Sequence, residues 1–495
     1  MRDILPPILL RMLTTEPLLA RANIVGGAVR DKLFSLRCPG LGISRSKDFD
    51  IEVFGVAPDK LVSLLGGWGR VDEVGAHFSV IKLATAEGTF DFSLPRKETK
   101  VGDGHRGFSV EPDPFLSPEM AACRRDFTMN AIAYNVRRSE LMDFYGGEND
   151  IRTGVLRHTS PAFREDPLRP LRGMQFCGRF DLTASPETIE MCRSMLPEYQ
   201  SLPVERISEE WKKWASRSVA PEKGLDFLAA TGYESFYPMI TAERGVPQSS
   251  KWHPEGDVYT HARHCIAFMA RNPEWKKLPD GERALLMFAI LAHDFGKPSC
   301  TQIRMVDGCT KVTSHGHEAA GVPFAAEFMR LIGQPREMNA KVIALVKHHL
   351  AYKDDPTPRG VRRLARRIAP ATIELAGLVW LADNAGRPPK PQTLPERAQK
   401  WLEMAREEQV QTGAPTPLLL GRDLIACGVK PGKAMGELLA RAYEAQLNGD
   451  FCDKAGGLAF CGLSLPPQPI TPLTELPQPA PEVPRGEASR RKLEK

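Results

Sequence analysis

Two glycines, and a pair of aspartates further along at alternate positions, constrain this chain more than anything else in it. The first element is Ile24-Val25-Gly26-Gly27-Ala28-Val29-Arg30. A short apolar run ends at the glycines, and a helical pattern begins at Ala28. Glycines let the backbone approach a phosphate, and a helix N-terminus aims N–H groups at it. The second element is Lys47-Asp48-Phe49-Asp50-Ile51-Glu52-Val53, which alternates like a strand. Residues two apart in a strand share a face, so Asp48 and Asp50 project together while Phe49 faces inward. Adjacent carboxylates need a cation. Mg²⁺ suits them, because it takes hard oxygen ligands and brings phosphates with it. A phosphate cradle beside paired aspartates predicts metal-assisted nucleotidyl transfer.

Residues 1–22 read as an amphipathic helix. From Ile24 to about Val136 the strand patterns IVGG, DFDIEVFG, FSVIKLAT, GTFDFSLP and AIAYNV predict a small mixed sheet flanked by helices. Asp91 lies between Phe90 and Phe92 and faces away from both. It is either a third acidic group near the metal or a solvated strand residue. The Gly-rich, charged stretch LPRKETKVGDGHRGF has no apolar period and reads as a mobile loop that closes during catalysis. In Cys123-Arg124-Arg125-Asp126-Phe127-Thr128-Met129-Asn130, the arginines suit phosphate and the polar residues suit a ribose hydroxyl. Asp166, Arg169 and Arg172 follow at helical spacing. Cytosine and adenine each present an amino donor beside a ring-nitrogen acceptor, and guanine and uracil reverse that order. One fixed carboxylate with one fixed guanidinium therefore selects C and A without a template.

Together these stretches resemble the class II tRNA nucleotidyltransferase and bacterial poly(A) polymerase family, within the polymerase-β-like superfamily. The resemblance implies that Asp48 and Asp50 are catalytic and hold Mg²⁺. It implies that Gly27 and Arg30 hold the triphosphate and that Arg125 and Asp126 contact nucleotide and sugar. Asp166 and Arg169 would read the base, with Arg172 near the phosphates. The loop with Gly102, Gly104, Gly107 and Phe108 is one that CC-adding members lack. Many members carry an arginine where this chain has Gln175. Pro203-Val204-Glu205-Arg206-Ile207-Ser208-Glu209-Glu210 resembles a motif that braces the neck. The implied substrates are CTP, ATP and the tRNA 3′ end. The same motifs serve A-only adding enzymes and poly(A) polymerases.

From Trp252 the character changes. Most of the 11 histidines fall between 253 and 349. His261, His293-Asp294, Lys297, His317, His348-His349 and Asp383 supply the donor types of a metal site. The order resembles the HD superfamily of metal-dependent phosphohydrolases, an all-α fold. That implies His261, His293, Asp294 and Asp383 as ligands of Ni²⁺, Mn²⁺ or a similar ion. His317 and His348 would hold a second metal or phosphate, and Lys297 a substrate phosphate. The lead-in GVPQSSKWHPEGDVYTH resembles the HD portion of enterobacterial multifunctional CCA enzymes, whose activities include phosphatase, 2′-nucleotidase and 2′,3′-cyclic phosphodiesterase. A phosphohydrolase using the transferase portion as an RNA-binding platform is the reading from another class. Arg359, Arg362, Arg363, Arg366 and Arg367 form a helical stripe that suits either an RNA backbone or solvent.

The length of 495 residues admits several domains, and a net charge of +5 is compatible with an RNA partner. The 10 cysteines contain no CxxC pair, which speaks against a zinc ribbon or disulfide framework. No apolar run approaches the ~18 residues of a membrane span. The expected protein is cytoplasmic and of α+β class. Its expected parts are a polymerase-β-like nucleotidyltransferase head (1–145), a helical neck that reads the base (146–245), an all-α HD domain (246–385), a helical tRNA-binding unit (386–463) and a disordered tail (464–495).

Overall fold

The computed structural model describes residues 1–41, 48–74, 80–100 and 108–464. The expected glycines 102, 104 and 107 and the tail from 465 lie outside them. Two compact units divide the chain, Met1–Pro415 and Thr416–Lys495.

In the first unit the N-terminal region carries a seven-stranded sheet in the order β3-β4-β5-β2-β1-β8-β9. Its strands are β1 (Ala22–Val25), β2 (Asp50–Val53), β3 (Arg70–Val74), β4 (Val80–Thr85), β5 (Gly88–Ser93), β8 (Ala133–Asn135) and β9 (Glu140–Met142). Period-two patterning explains β2: Phe49, Ile51 and Val53 are buried, and Asp48 and Asp50 open to the other side. Burying each such side chain contributes ~1.5–3 kcal/mol, so an aspartate at Ile51 would undo the strand. β2 is antiparallel to β1, with Val25 opposite Asp50. It is parallel to β5, with Asp50 opposite Asp91. The expected first helix is shorter than 1–22, spanning Pro7–Thr15 between 3₁₀ turns.

The Gly-rich stretch is not loop throughout. β6 (Arg96–Lys100) and β7 (Phe108–Pro112) pair as an antiparallel ribbon, so backbone pairing overrides the charged side chains there. Beyond β9 the unit is almost wholly helical, apart from the short pairs β10 (Val155–Leu156) with β11 (Thr183–Ala184) and β12 (Gln302–Val306) with β13 (Cys309–Thr313). The α+β class is as expected. One apolar core runs without interruption from Leu5 to Val410. The Val204–Arg217 helix contributes Ile207, Trp211, Trp214 and Ala215 to it. Trp211 packs edge-on against Phe328, and Gln334 donates to Ser208 Oγ at 3.0 Å.

In the second unit the helices Gly421–Ala426, Lys433–Asn448 and Lys454–Phe460 enclose Leu419, Leu424, Ala442 and Leu458. Lys454 Nζ lies 2.6 Å from Asp423 Oδ1. No helix among the described residues is long and apolar enough to cross a membrane.

Candidate active sites

Gly26 is where the first site closes. Its φ of 69° places it where side chains are disfavoured. A methyl there would lie 3.3 Å from Asp50 Oδ2 and 3.6 Å from Arg125 Nη1. The strand-to-helix turn, the Asp50 carboxylate on β2 and the arginine therefore converge. Gly27 opens the Gly27–Arg37 helix beside them. Arg125 Nη2 is 3.8 Å from Glu52 Oε2, on the Asp48–Asp50 face. Protein packed around Asp50 pushes its carboxyl above the usual range even though the side chain reaches solvent; Arg125 opposes this, and Asp91 and Asp48 add to it. A concentration of negative charge beside an open glycine turn fits a divalent cation. Asp91, whose role the sequence left open, is thus at the site. It is held by Lys82 Nζ at 2.9 Å from both carboxylate oxygens.

A second set of residues forms a continuous polar chain from the sheet to the neck. Arg30 Nη1 donates to Asn130 Oδ1 (2.7 Å), and Asn130 Nδ2 donates to Asp126 Oδ1 (2.8 Å). Arg172 reaches Asp126 Oδ2 at 2.7 Å and Glu210 Oε1 at 3.8 Å. Burial works against the Asp126 charge, but Arg172 and Asn130 outweigh it and hold the carboxyl below its ordinary range. Arg30 is buried, pairs with Asp31 and lies over Phe176 and Phe180. Its guanidinium is therefore committed to the protein. Asp166 is gripped by Arg206, whose Nη1 and Nη2 donate at 3.1 and 2.8 Å. Arg169 donates to the carbonyls of Ala162 (2.8 Å) and Arg124 (2.7 Å). Asp166 and Arg169 are brought to one turn, each with a partner other than the other. Gln175 is buried in the Arg169–Phe180 helix. One turn on, Arg179 Nη2 meets Asp31 Oδ2 at 3.1 Å.

The third cluster is buried in the helical half, with Lys297 and His317 at its more open side. His261 stands on the Val258–Arg271 helix, His293 and Asp294 follow the Asp280–Ala292 helix, and Asp383 ends a turn of the Ile373–Ala385 helix. His261 Nε2 is 3.2 Å from Asp383 Oδ1 and 3.8 Å from Asp294 Oδ2. His293 Nε2 is 3.1 Å from Asp294 Oδ2. The other oxygen of Asp294 faces His317 Nε2 at 3.2 Å and His349 Nε2 at 4.0 Å. Lys297 Nζ lies 2.6 Å from Asp294 Oδ2 and donates to Gln248 Oε1 at 2.7 Å. His293 Nε2 and both Asp294 oxygens are buried without a well-directed hydrogen bond. Orphaned ligand atoms of this kind, with five helices converging, fit a metal ion. The expected His348 does not join them. It is half-buried and its ring is pushed down to about 4 by burial and by Arg367 and Lys347. His349 takes the place, because the Arg336–His348 helix turns its final residue outward and the next one inward.

Sequence reading passed over further residues here. Glu255 Oε1 lies 2.8 Å from Nδ1 of both His253 and His261. A carboxylate on the far nitrogen fixes the tautomer that presents Nε2 to a metal. The signal was present in the HPEGDVYTH segment, where a carboxylate precedes the histidine. Cys265 Sγ, one helical turn from His261, is 3.5 Å from its Nε2. Glu243, fully buried, has both oxygens unpartnered, and burial with Asp294 nearby raises its carboxyl well above the ordinary range.

Residues 22–157 match the poly A polymerase head domain family. The multifunctional CCA protein of Xylella fastidiosa (strain 9a5c) is 35% identical over 340 residues, 67% of this chain and 74% of that protein. The chain belongs to the multifunctional CCA protein family. The family member of Pasteurella multocida (strain Pm70) is 31% identical over 382 residues, 74% of this chain and 83% of that protein. Solved structures share the family's fold. The Bacillus stearothermophilus CCA-adding enzyme in complex with CTP superposes with a TM-score of 0.56 at 20% identity, covering 90% of this chain and 94% of that one. The Thermotoga maritima CCA-adding enzyme complexed with tRNA gives 0.53 at 18% identity, covering 93% and 96%. Nucleotidyltransferases of this family work with a divalent cation such as Mg²⁺.

Proposed function

We propose that this protein adds C, C and A to tRNA 3′ ends from CTP and ATP. The observation that carries the reading is the convergence of Gly26, Asp50 and Arg125. The names of its relatives support it. Asp48 and Asp50 would hold Mg²⁺, which on binding lowers the barrier to attack by the terminal hydroxyl and stabilises the leaving pyrophosphate. Gly26 and Gly27 admit the triphosphate, and Arg125 and Arg172 offset its charge. Arg30 supports that pocket from behind, through Asn130 and Asp126. Asp166 accepts from the amino group of C or A, and Arg169 donates to the ring nitrogen. The neck region 146–245 thus reads the base for a head formed by 1–145. The exposed face of the Pro358–Ile368 helix and the unit within 386–463 would hold the tRNA backbone. The test supplies tRNAs ending before C, CC and CCA with CTP, ATP or both, and sequences the 3′ ends. Ordered C, C, A that then stops supports the reading; A alone on the CC end, or long A tails, overturns it.

A second activity is favoured by the buried cluster in 246–385. Its donor set fits Ni²⁺ or Mn²⁺ bound by His261, His293, Asp294 and Asp383, with His317 and His349 on the other Asp294 oxygen. Such a cation activates water toward phosphorus. Lys297 is placed to hold a phosphate oxygen. Release of phosphate from 2′-nucleotides or opening of 2′,3′-cyclic phosphates, abolished in Asp294→Ala but not in Asp50→Ala, tests it.

A further inference from the structure

Trp252 is the most exposed of the seven tryptophans, at 57%. A single exposed aromatic is ordinary; this one is held in place and flanked by charge. Its backbone N–H donates to the carbonyl of Ser249 at 2.9 Å, closing the turn that carries the ring. Lys390 Nζ donates to the carbonyls of Lys251 (2.9 Å) and Trp252 (2.8 Å), fixing the turn from the other side. The ammonium groups of Lys251 and Lys390 lie 5.3 and 5.1 Å from the ring centroid. The turn is tied to the buried cluster at both ends. On one side Gln248 Oε1 accepts from Lys297, which touches Asp294. On the other, His253 and Glu255 lead to His261. Two residues, His253 and Pro254, separate Trp252 from Glu255, so the span is at most ~10 Å of extended chain.

We infer that Trp252 is a stacking platform for the base of a nucleotide whose phosphate is presented to the His261–Asp383 cluster. An indole face accepts any base, and adjacent ammonium groups suit the phosphates that accompany one. A base settling on the ring displaces the Lys251 ammonium toward the phosphate. Lys390 keeps its two carbonyl bonds and has a third proton to donate. The cluster then takes nucleobase-bearing phosphates in preference to simple phosphomonoesters. This rests on the phosphohydrolase reading given above.

The test is calorimetric titration of the full-length protein with adenosine 2′-monophosphate, with glycerol 2-phosphate, and with a short oligoribonucleotide bearing a 3′-terminal phosphate. Wild type, Trp252→Ala and Trp252→Phe are compared; nucleotide bound at the transferase site contributes equally to all three. Trp252→Ala is expected to weaken nucleotide binding about 10-fold, the size of one base–aromatic stack. Trp252→Phe stays within about three-fold because it keeps a ring to stack on. Glycerol 2-phosphate binding is unchanged throughout. An oligoribonucleotide weakened as much as the mononucleotide identifies an RNA end as the occupant; a mononucleotide weakened alone identifies a free nucleotide. Unchanged nucleotide binding in Trp252→Ala, or an equal loss for glycerol 2-phosphate, overturns the platform. Phosphate release by wild type with Ni²⁺ or Mn²⁺ is measured alongside. Its absence sinks the phosphohydrolase reading, while the titrations still decide the platform.

Discussion

Gly26→Ala separates the catalytic from the structural meaning of the first turn. Two penalties arise. A non-glycine residue at the observed φ of 69° costs ~1–2 kcal/mol. Alanine recovers ~0.4–1 kcal/mol by restricting the unfolded chain, so the net loss of stability is about 1 kcal/mol. The second penalty is local: the methyl at 3.3 Å from Asp50 Oδ2 forces the carboxylate to shift by a few tenths of an ångström. A 1 Å misplacement at a reacting centre costs ~10²-fold in rate, so this shift costs on the order of 10-fold. Gly308→Ala is the control. Its φ of 74° carries the same backbone penalty, and nothing lies within 4 Å of the added methyl. CTP incorporation into tRNA lacking its terminal CCA, together with urea unfolding, reads both effects. Gly26→Ala should lose about 1 kcal/mol in stability and on the order of 10-fold in kcat/KM, while Gly308→Ala loses stability alone. If Gly26→Ala incorporates CTP as fast as Gly308→Ala, the turn is not part of the site.

Other consequences are open to measurement. Glu255→Gln should weaken metal retention by ~10–100-fold, the usual effect of losing a carboxylate behind a metal-binding histidine; metal content after dialysis checks it, with CTP addition unchanged. His349→Ala should abolish phosphate release while His348→Ala leaves it near wild type, and equal losses would show that the burial of His349 is irrelevant. Arg206→Ala frees the Asp166 carboxylate, and misincorporation of UTP or GTP should rise by roughly 10-fold, as expected when one charge-assisted pair of bonds is lost. Arg172→Ala leaves Asp126 buried without its ion-pair partner, keeping only the hydrogen bonds to Oδ1 from Asn130 and the Phe127 N–H. The loss should be ~2–3 kcal/mol, below the ~3–5 kcal/mol of a fully enclosed pair because Arg172 is partly open to solvent. The Asp126 carboxyl is held below its ordinary range. Its stabilisation is therefore full above the unfolded value near ~4 and lost as pH falls through the folded one. Urea midpoints of wild type and Arg172→Ala should converge in acid.

What could be read from the chain follows from the range of the forces involved. β2 was legible because its alternation is local, and so were the glycines, whose conformational role belongs to single residues. β3 and β9 escaped notice: RVDEV and ELM lie at or near the sheet's edges and lack an apolar face strong enough to announce a strand. The ribbon β6–β7 was hidden by charge, since its pairing is a backbone property. Helical spacing brings Asp166 and Arg169 to one turn, but not the partners that hold each of them. The grip of Arg206 on Asp166 spans 40 positions and no local pattern encodes it. The choice between His348 and His349 turned on 100° of helical rotation at a helix end, where periodicity is least reliable.

The Val204–Arg217 helix has two working faces. Arg206 and Glu210 meet Asp166 and Arg172; Ser208 and Trp211 meet the segment that begins at His317. A gene shortened after the last transferase motif would keep every residue proposed for the metal, the triphosphate and the base. It would also strip the cover from Trp211 and from the apolar side of that helix. The histidine-rich half is thus a prop that the transferase half leans on, whatever chemistry it performs. Lineages that dispense with the cluster's chemistry should do so by point replacement of His293 or Asp294, leaving the helices that carry them in place.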